Sequence, residues 1–329
     1  MIADMMRNFE LYQPSRMEDA LALLDRYGKD GWRMAGGKDS LDWFKDRVKN
    51  PKAVIDLMGI AELKGIREVK DGIEIGALTT LTEVEKHPLI QKQYGLLATA
   101  ARRVASPQIR NAGTLGGNAA QDARCWYYRD GFPCYRAGGN TCYADTPEAM
   151  NREHTLFGAD RCVAVTPSDT APVLVVLGAK MVIRSSKGER VVEAKDFFIG
   201  PGVDITRMTV LEPEEILTTI QIPKTWAGAQ FFFEKIADRQ TWDFALVSVA
   251  SAMFIKGGVI DRISIACGGV ECVPRHLKVV EDIVRGEKQS EETADLAGQA
   301  AVRGAIPLNY NHFKVPLMQN LVKRAIRSA

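Results

Sequence analysis

The sequence predicts an α+β protein of more than one domain, and three observations lead there. The chain has 329 residues, and at roughly 150 residues per domain that length asks for two or three cores. Helical spacing and strict alternation of apolar residues succeed one another along the chain. In the last third, a run of strands comes first and helices after it, which suggests an α+β layer.

The patterns divide the chain into units at 1–60, 61–223 and 224–329. In the first, Ser15 and Glu18 are spaced as a capping box, and Met17, Ala20, Leu21, Leu23 and Leu24 follow at helical spacing. A glycine turn at 33–40, a short helix at 39–48 and a short strand at 53–57 complete it. In the second unit, 72–77 alternates as a strand, 82–87 is a helix stopped by Pro88, and 96–104 is an alanine-rich helix suited to burial. A glycine loop at 113–117 leads into an irregular loop at about 122–165. A helix follows at 168–177, with Pro172 early enough to be tolerated. Residues 179–185 and 188–192 form a hairpin, and 216–222 is a strand ending at Pro223. In the third unit, 231–235, 246–255 and 259–266 are strands, the last two joined by a turn at Lys256, Gly257 and Gly258. Helices at 276–284 and 290–303, then an amphipathic helix at 317–327 with a basic outer face, close the chain.

Hydrophobic residues at 46% and charged residues at 26% exclude a disordered or fibrous chain. Lys plus Arg at 43 against Asp plus Glu at 41 gives no electrostatic case for nucleic acid or an anionic membrane. No run approaches the ~18 apolar residues of a membrane span. The first ten residues have no apolar core, so no signal peptide is expected there and a cytoplasmic location is.

Four of the six cysteines, Cys125, Cys134, Cys142 and Cys162, follow the spacing C-x8-C-x7-C-x19-C. Zinc knuckles use tighter pairs and ferredoxins shorter runs. Three readings stand: a metal or iron–sulfur site, unlinked thiols, or disulfides. The last is opposed by the missing export signal and by the reducing cytosol. The loop is rich in Gly, Pro, Asn and aromatics and poor in periodicity. Ordering it costs ~1–2 kcal/mol per residue, which a bound cluster would offset. Cys267 and Cys272 read as two small buried residues around a turn.

Two glycine loops stand out: 35–40 (Ala35, Gly36, Gly37, Lys38, Asp39, Ser40) and 111–118 (Asn111 to Asn118). Neither is the dinucleotide fingerprint nor the P-loop, so a nicotinamide Rossmann site and an ATPase are unsupported. Each is either a plain turn or a nest whose N–H groups converge on a phosphate oxygen, and together they could cradle a pyrophosphate. Asp169 is a helix cap or a partner for sugar or ribityl hydroxyls. Arg110 is a surface base or a phosphate partner. Lys235 and Asp243 read as a salt bridge. The four histidines form no metal triad, there is no serine nucleophile elbow, and no acid, base and nucleophile set is visible. The chemistry of such a chain belongs to its cofactors.

Six stretches carry a resemblance: AGGKDS at 35–40, IRNAGTLGGN at 109–118, TPSD at 166–169, FFIGPG at 197–202, EEILTTIQIP at 214–223 and FEKIADRQTWDFALVSVA at 233–250. Over essentially its whole length the chain resembles the FAD-binding medium subunit of the molybdenum hydroxylases, the xanthine dehydrogenase and aldehyde oxidoreductase group. The cysteine loop is similar to the insert of the subgroup with an extra [4Fe–4S] cluster, such as the 4-hydroxybenzoyl-CoA reductase β subunit and periplasmic-type bacterial aldehyde oxidoreductase.

The resemblance implies the fold of p-cresol methylhydroxylase (PCMH) and vanillyl-alcohol oxidase, two FAD-binding subdomains, followed by an α+β domain of the CO dehydrogenase flavoprotein C-terminal type. It places Ala35, Gly36, Gly37, Lys38, Asp39 and Ser40 from one subdomain, and Arg110, Asn111, Gly113, Thr114, Leu115, Gly117 and Asn118 from the other, against FAD. Asp169 would reach ribityl or ribose hydroxyls, Lys235 would lie near the flavin, and Leu115 and Ile220 would be apolar contacts. Cys125, Cys134, Cys142 and Cys162 would ligate the [4Fe–4S] cluster. Implied partners are a large subunit with a molybdenum–pterin cofactor, acting on an aldehyde, aromatic CoA ester or N-heterocycle, and a small subunit with two [2Fe–2S] clusters. An external carrier (ferredoxin, quinone, NAD or oxygen) would complete the circuit, and co-export with a partner would make the location periplasmic. Two departures stand out: Lys38, where many relatives carry Thr or Asn, and Gln240, Thr241 and Trp242, where Arg is frequent in part of the group. Two other readings are a stand-alone FAD oxidase of this fold, for which the chain is short, and a zinc-stabilised scaffold without redox turnover.

Overall fold

The structure, a computed structural model, describes residues 6–328. Met1 to Met5, on which part of the signal-peptide expectation falls, lie outside the described residues. Three sheets organise the chain. The first joins β1 (Glu10–Tyr12), β2 (Gly31–Met34) and β3 (Ala53–Asp56) in the order β1-β3-β2, all parallel. Parallel neighbours need a crossover, and the helix Met17–Tyr27 supplies it between β1 and β2. Its buried face (Met17, Ala20, Leu21, Leu24) packs with Ile55 and Leu57. The expected capping box is not formed. Arg16 holds the N-cap position without a side-chain cap bond. The Glu18 carboxylate pairs instead with Arg16 and Arg184 at 3.7 and 3.4 Å. β2 also takes the first two residues of the expected glycine turn, Arg33 and Met34.

The second sheet holds β4 (Ile66–Val69), β5 (Gly72–Gly76), β6 (Lys180–Ser185), β7 (Gly188–Glu193) and β8 (Ile216–Pro223), antiparallel in the order β4-β5-β8-β6-β7. Thr80 and Glu83 form a reciprocal capping box on the helix Leu81–Lys86. Pro88, expected to stop that helix, also opens the next one, Pro88–Gln93, in the first turn where its missing N–H costs nothing. The helix Gly95–Arg102 buries Leu97 and Ala100 in a core shared with Ile75, Leu174, Met181 and Ile220.

The third sheet, β9 (Gln230–Ile236), β10 (Val247–Lys256), β11 (Val259–Gly268) and β12 (Arg275–His276), runs antiparallel in the order β12-β11-β10-β9. Along β10, Val247, Val249 and Met253 face the helices Lys278–Val284, Glu291–Ala301 and Lys314–Ser328, while Ala250 and Ala252 join the core of the second sheet. Both faces are covered, so the strand reads as one apolar run. The outer basic residues of the last helix are paired: Lys323 with Glu291 and Asp295, and Arg324 with Glu234. No helix among the described residues is long and apolar enough to cross a membrane.

The last helix begins at Lys314, earlier than its apolar pattern suggests. This side chain is fully buried, and its Nζ donates to the carbonyls of Glu153, His154 and Gly269 at 3.3, 2.7 and 2.6 Å. It ties the helix to the cysteine loop. Burial pushes its ammonium down from 10.5 to about 7. Between those values the unfolded chain binds more protons, so this residue makes stability rise with pH across that window, by up to ~1.4 kcal/mol per pH unit. Urea midpoints of wild type and Lys314→Met, compared at about pH 7 and about pH 9.5, should differ in their pH slope. Parallel slopes would refute this.

Candidate functional site

Beyond β2 the chain turns through Ala35 to Ser40 into the helix Ser40–Lys45. Beyond the helix Pro107–Arg110 it turns through the second glycine loop into the helix Leu115–Ala119. The loops touch: a Cβ on Gly36 would stand 1.8 Å from the Ala112 carbonyl oxygen. Between them and β8 lies a cleft of about 1080 Å³.

Ala35, Gly36, Gly37, Lys38, Asp39 and Ser40 line this cleft, as do Gly113, Thr114, Gly117, Asn118 and Asp169. The two loops contribute differently. Among the described residues, the amides of Gly36, Gly37 and Lys38 make no hydrogen bond and remain available to a ligand. In the second loop the amides on either side of Thr114 are already used. Gly113 donates to Ile109 O, Leu115 to Thr79 O, Gly116 to Ala77 O and Gly117 to Thr114 Oγ1, at 2.6, 2.9, 2.9 and 3.0 Å. Of the two readings, a plain turn or a nest, the second loop is thus closer to the turn, because the carbonyls of Ile109, Thr79 and Ala77 and the helix-capping Thr114 hydroxyl take donors a nest would offer. The loop instead supplies a close wall. Gly116 packs against Ala77, where a Cβ would meet the Ala77 Cβ at 2.7 Å. Asn118 Oδ1 accepts from Ser168 Oγ and Thr170 Oγ1 at 2.8 and 2.6 Å and fixes the turn carrying Asp169.

Five expected contacts stand off the cleft. Leu115 and Ile220 are wholly buried in the core behind it, and Ile216 and Leu217 present the apolar wall of β8 in their place. Arg110 pairs with Glu85 at 3.3 Å and donates to Val104 O. Asn111 Oδ1 accepts from Thr82 Oγ1 at 2.7 Å. Lys235 lies beneath Asp169, with Nζ 2.6 Å from Oδ2 and both side chains 4% exposed. Burial pushes the Asp169 carboxyl up, against the pull of Lys235. The expected Lys235–Asp243 bridge is absent, since Asp243 pairs with Arg239 at 2.5 Å. Ser168, not Asp169, accepts the Ala171 amide at the start of the next helix.

Sequence reading missed other cleft residues, among them Lys49, Asp122, Arg124 and Phe244, whereas Trp242, singled out as a departure from the family pattern, does line the cleft. Trp242 has φ +76° and donates its amide to Ala105 O at 2.9 Å, across the mouth of the cleft. Arg124 lies 4.7 Å from the Phe244 ring. Nothing in the sequence marked Asp122.

The cysteine loop folds beside the cleft. Asp39 accepts from Arg124 and Arg129 of this loop at 2.7 and 2.6 Å. Cys125, Cys134, Cys142 and Cys162 line one cavity of about 20 Å³. All six cysteines are free thiols, so the disulfide reading is not realised. Among the described residues, no three His, Cys, Asp or Glu side chains are gathered for a single metal ion. Burial pushes the Cys125 thiol up to about 12. His154 Nε2 stands 3.3 Å from its Sγ. A thiol hydrogen bond from Cys272, aided by Arg136, draws the Cys162 thiol below its ordinary range. Cys272, read from sequence as a buried turn residue, is thus a neighbour of the four.

Two glycine loops meet beside a cleft large enough for an extended dinucleotide. The family described as the FAD binding domain in molybdopterin dehydrogenase matches residues 7–225, and the CO dehydrogenase flavoprotein C-terminal domain matches 232–329. The carbon monoxide dehydrogenase medium chain of Hydrogenophaga pseudoflava is 29% identical over 98% of this chain and 96% of its own. The aldehyde oxidoreductase FAD-binding subunit of Escherichia coli is 30% identical over 90% of each chain. A solved structure of the carbon monoxide dehydrogenase from Hydrogenophaga pseudoflava superposes with a TM-score of 0.78 at 28% identity, covering 99% of this chain and 98% of the other. The chain belongs to the family of FAD-binding medium subunits of the molybdenum hydroxylases and is an oxidoreductase subunit.

Proposed function

We propose that this chain is the electron-transfer subunit of a heterotrimeric molybdenum hydroxylase and carries both FAD and a [4Fe–4S] cluster. The observation that carries the cluster is the convergence of Cys125, Cys134, Cys142 and Cys162 on one cavity from a loop without regular periodicity. Cys125, Cys134, Cys142 and Cys162 would hold the cluster, since the four thiolates on this cavity match the four that a [4Fe–4S] cluster takes. For FAD, the unpartnered amides of Gly36, Gly37 and Lys38 suit pyrophosphate oxygens, and the cleft is large enough for a dinucleotide.

FAD supplies two-electron and one-electron exchange, and the cluster supplies one-electron relay. The protein binds and orients. The first loop holds the pyrophosphate, Asp169 faces ribityl or ribose hydroxyls, and Trp242 with Phe244 screens the mouth. A large partner with molybdenum–pterin would act on the organic substrate (an aldehyde, aromatic CoA ester or N-heterocycle). A small partner with two [2Fe–2S] clusters would exchange electrons with this chain, which passes them to or from an external carrier.

Iron analysis and visible absorbance of the purified chain test the reading. Flavin bands near about 370 and 450 nm on a broad iron–sulfur shoulder, with about four irons per chain, are expected. Cys142→Ser should lose iron and Cys267→Ser should keep it. Fewer than about four irons with intact thiols would sink the cluster, and a colourless zinc-loaded chain would favour a scaffold.

A further inference from the structure

The wall between the flavin cleft and the cysteine cavity is one ion-pair network. Asp122 lines the cleft and Arg136 lines the cavity, and Arg136 Nη2 donates to Asp122 Oδ1 at 2.7 Å. Arg136 also donates to Ile205 O at 2.9 Å and is 4% exposed. Its buried Nε has no partner among the described residues, although it belongs to a side chain lining the cavity. On the cleft side, Lys49 stands 3.6 Å from Asp122 Oδ2 and donates to the Tyr128 hydroxyl at 2.6 Å, and Tyr128 lines the cavity too. Two cations share one carboxylate there. Buried charge of one sign is costly without a counter-charge, and an orphaned buried donor needs an acceptor.

We propose that Arg136 is a positioning residue that couples the two sites: its guanidinium answers the negative charge of a thiolate-bound iron–sulfur cluster on one side and fixes Asp122 against the flavin cleft on the other. This rests on the cluster reading of the cavity. A loaded cavity gives Nε its acceptor, locks the guanidinium, and through Asp122 sets the position of Lys49 in the cleft. Coupling of this kind is reciprocal, so FAD also strengthens retention of the cluster.

The test uses the full chain, wild type and Arg136→Gln, each with iron bound and after chelation. FAD affinity is read from flavin fluorescence, and the cluster potential from a dye-mediated redox titration. In wild type, iron should tighten FAD binding by about fivefold or more. In Arg136→Gln that dependence should shrink to within about twofold, and the cluster potential should fall as a nearby cation is lost. Arg136→Lys, which keeps the charge, should recover most of the potential and decides the matter if the glutamine variant does not fold. An iron-free wild type defeats the cluster reading and this proposal together. An iron-loaded wild type whose FAD affinity ignores iron, or variants with unchanged potential and unchanged iron dependence, overturns this proposal alone.

Discussion

Replacing Gly36 by alanine is expected to remove most bound flavin. The new Cβ would stand 1.8 Å from Ala112 O and 2.6 Å from Ala112 C, and both are backbone atoms that cannot swing aside as a side chain could. One loop must move off the other. Overpacking of this sort costs about 1–3 kcal/mol, and each ~1.4 kcal/mol felt at the cleft is about tenfold in affinity. Gly37→Ala is the internal comparison. There φ is +70° and the nearest atom, Met34 Sδ, is 3.5 Å away, so the cost is left-handed strain of about 1–2 kcal/mol without collision. Flavin-to-protein ratios after gel filtration should rank wild type, then Gly37→Ala, then Gly36→Ala, with at least about a tenfold loss of affinity in the last. Full flavin loading in Gly36→Ala would mean that the contact between the loops is not what holds the cleft in shape.

The glycine pairs were legible because a Cβ-free residue is conspicuous, yet what each glycine does was not. Gly36 and Gly37 leave amides open, whereas Gly116 and Gly117 let a helix start close to β5 and spend their amides on Ala77 O and Thr114 Oγ1. That difference depends on which carbonyls lie within reach, and the carbonyls belong to another stretch of chain. Long strands such as β8, β10 and β11 were read within a residue or two, because the alternation at the end of β8 and the apolar run of β10 are both local signals. β1 and β2, with three and four residues, are too short to show a period and exist because β3 pairs with both. Cys272 was read correctly as a buried residue, but its place beside Cys162 was hidden for the same reason. It lies far along the chain from Cys162, and the third sheet brings it back.

The buried pair Asp169–Lys235 should be among the most costly in the protein to break from one side. Nζ and Oδ2 are 2.6 Å apart, and Lys235 also donates to Arg103 O at 3.1 Å. Asp169→Ala leaves an ammonium in a site with little access to water, at a cost of about 3–5 kcal/mol. Lys235→Met leaves a carboxyl that burial already favours in its neutral form, and so should cost less. The double variant, with no stranded charge, should recover much of the loss, giving an interaction energy within the ~0.5–3 kcal/mol range of touching residues. Urea denaturation of the four proteins measures this. Asp169→Asn separates structure from binding, because it keeps an acceptor for Lys235 and roughly the same volume but loses the charge. If Asp169 serves the hydroxyls of the bound dinucleotide through its free oxygen, this variant should fold and yet bind FAD more weakly. If single losses simply add, the pair is an incidental contact, and the turn at 168–170 must be held by Asn118 instead.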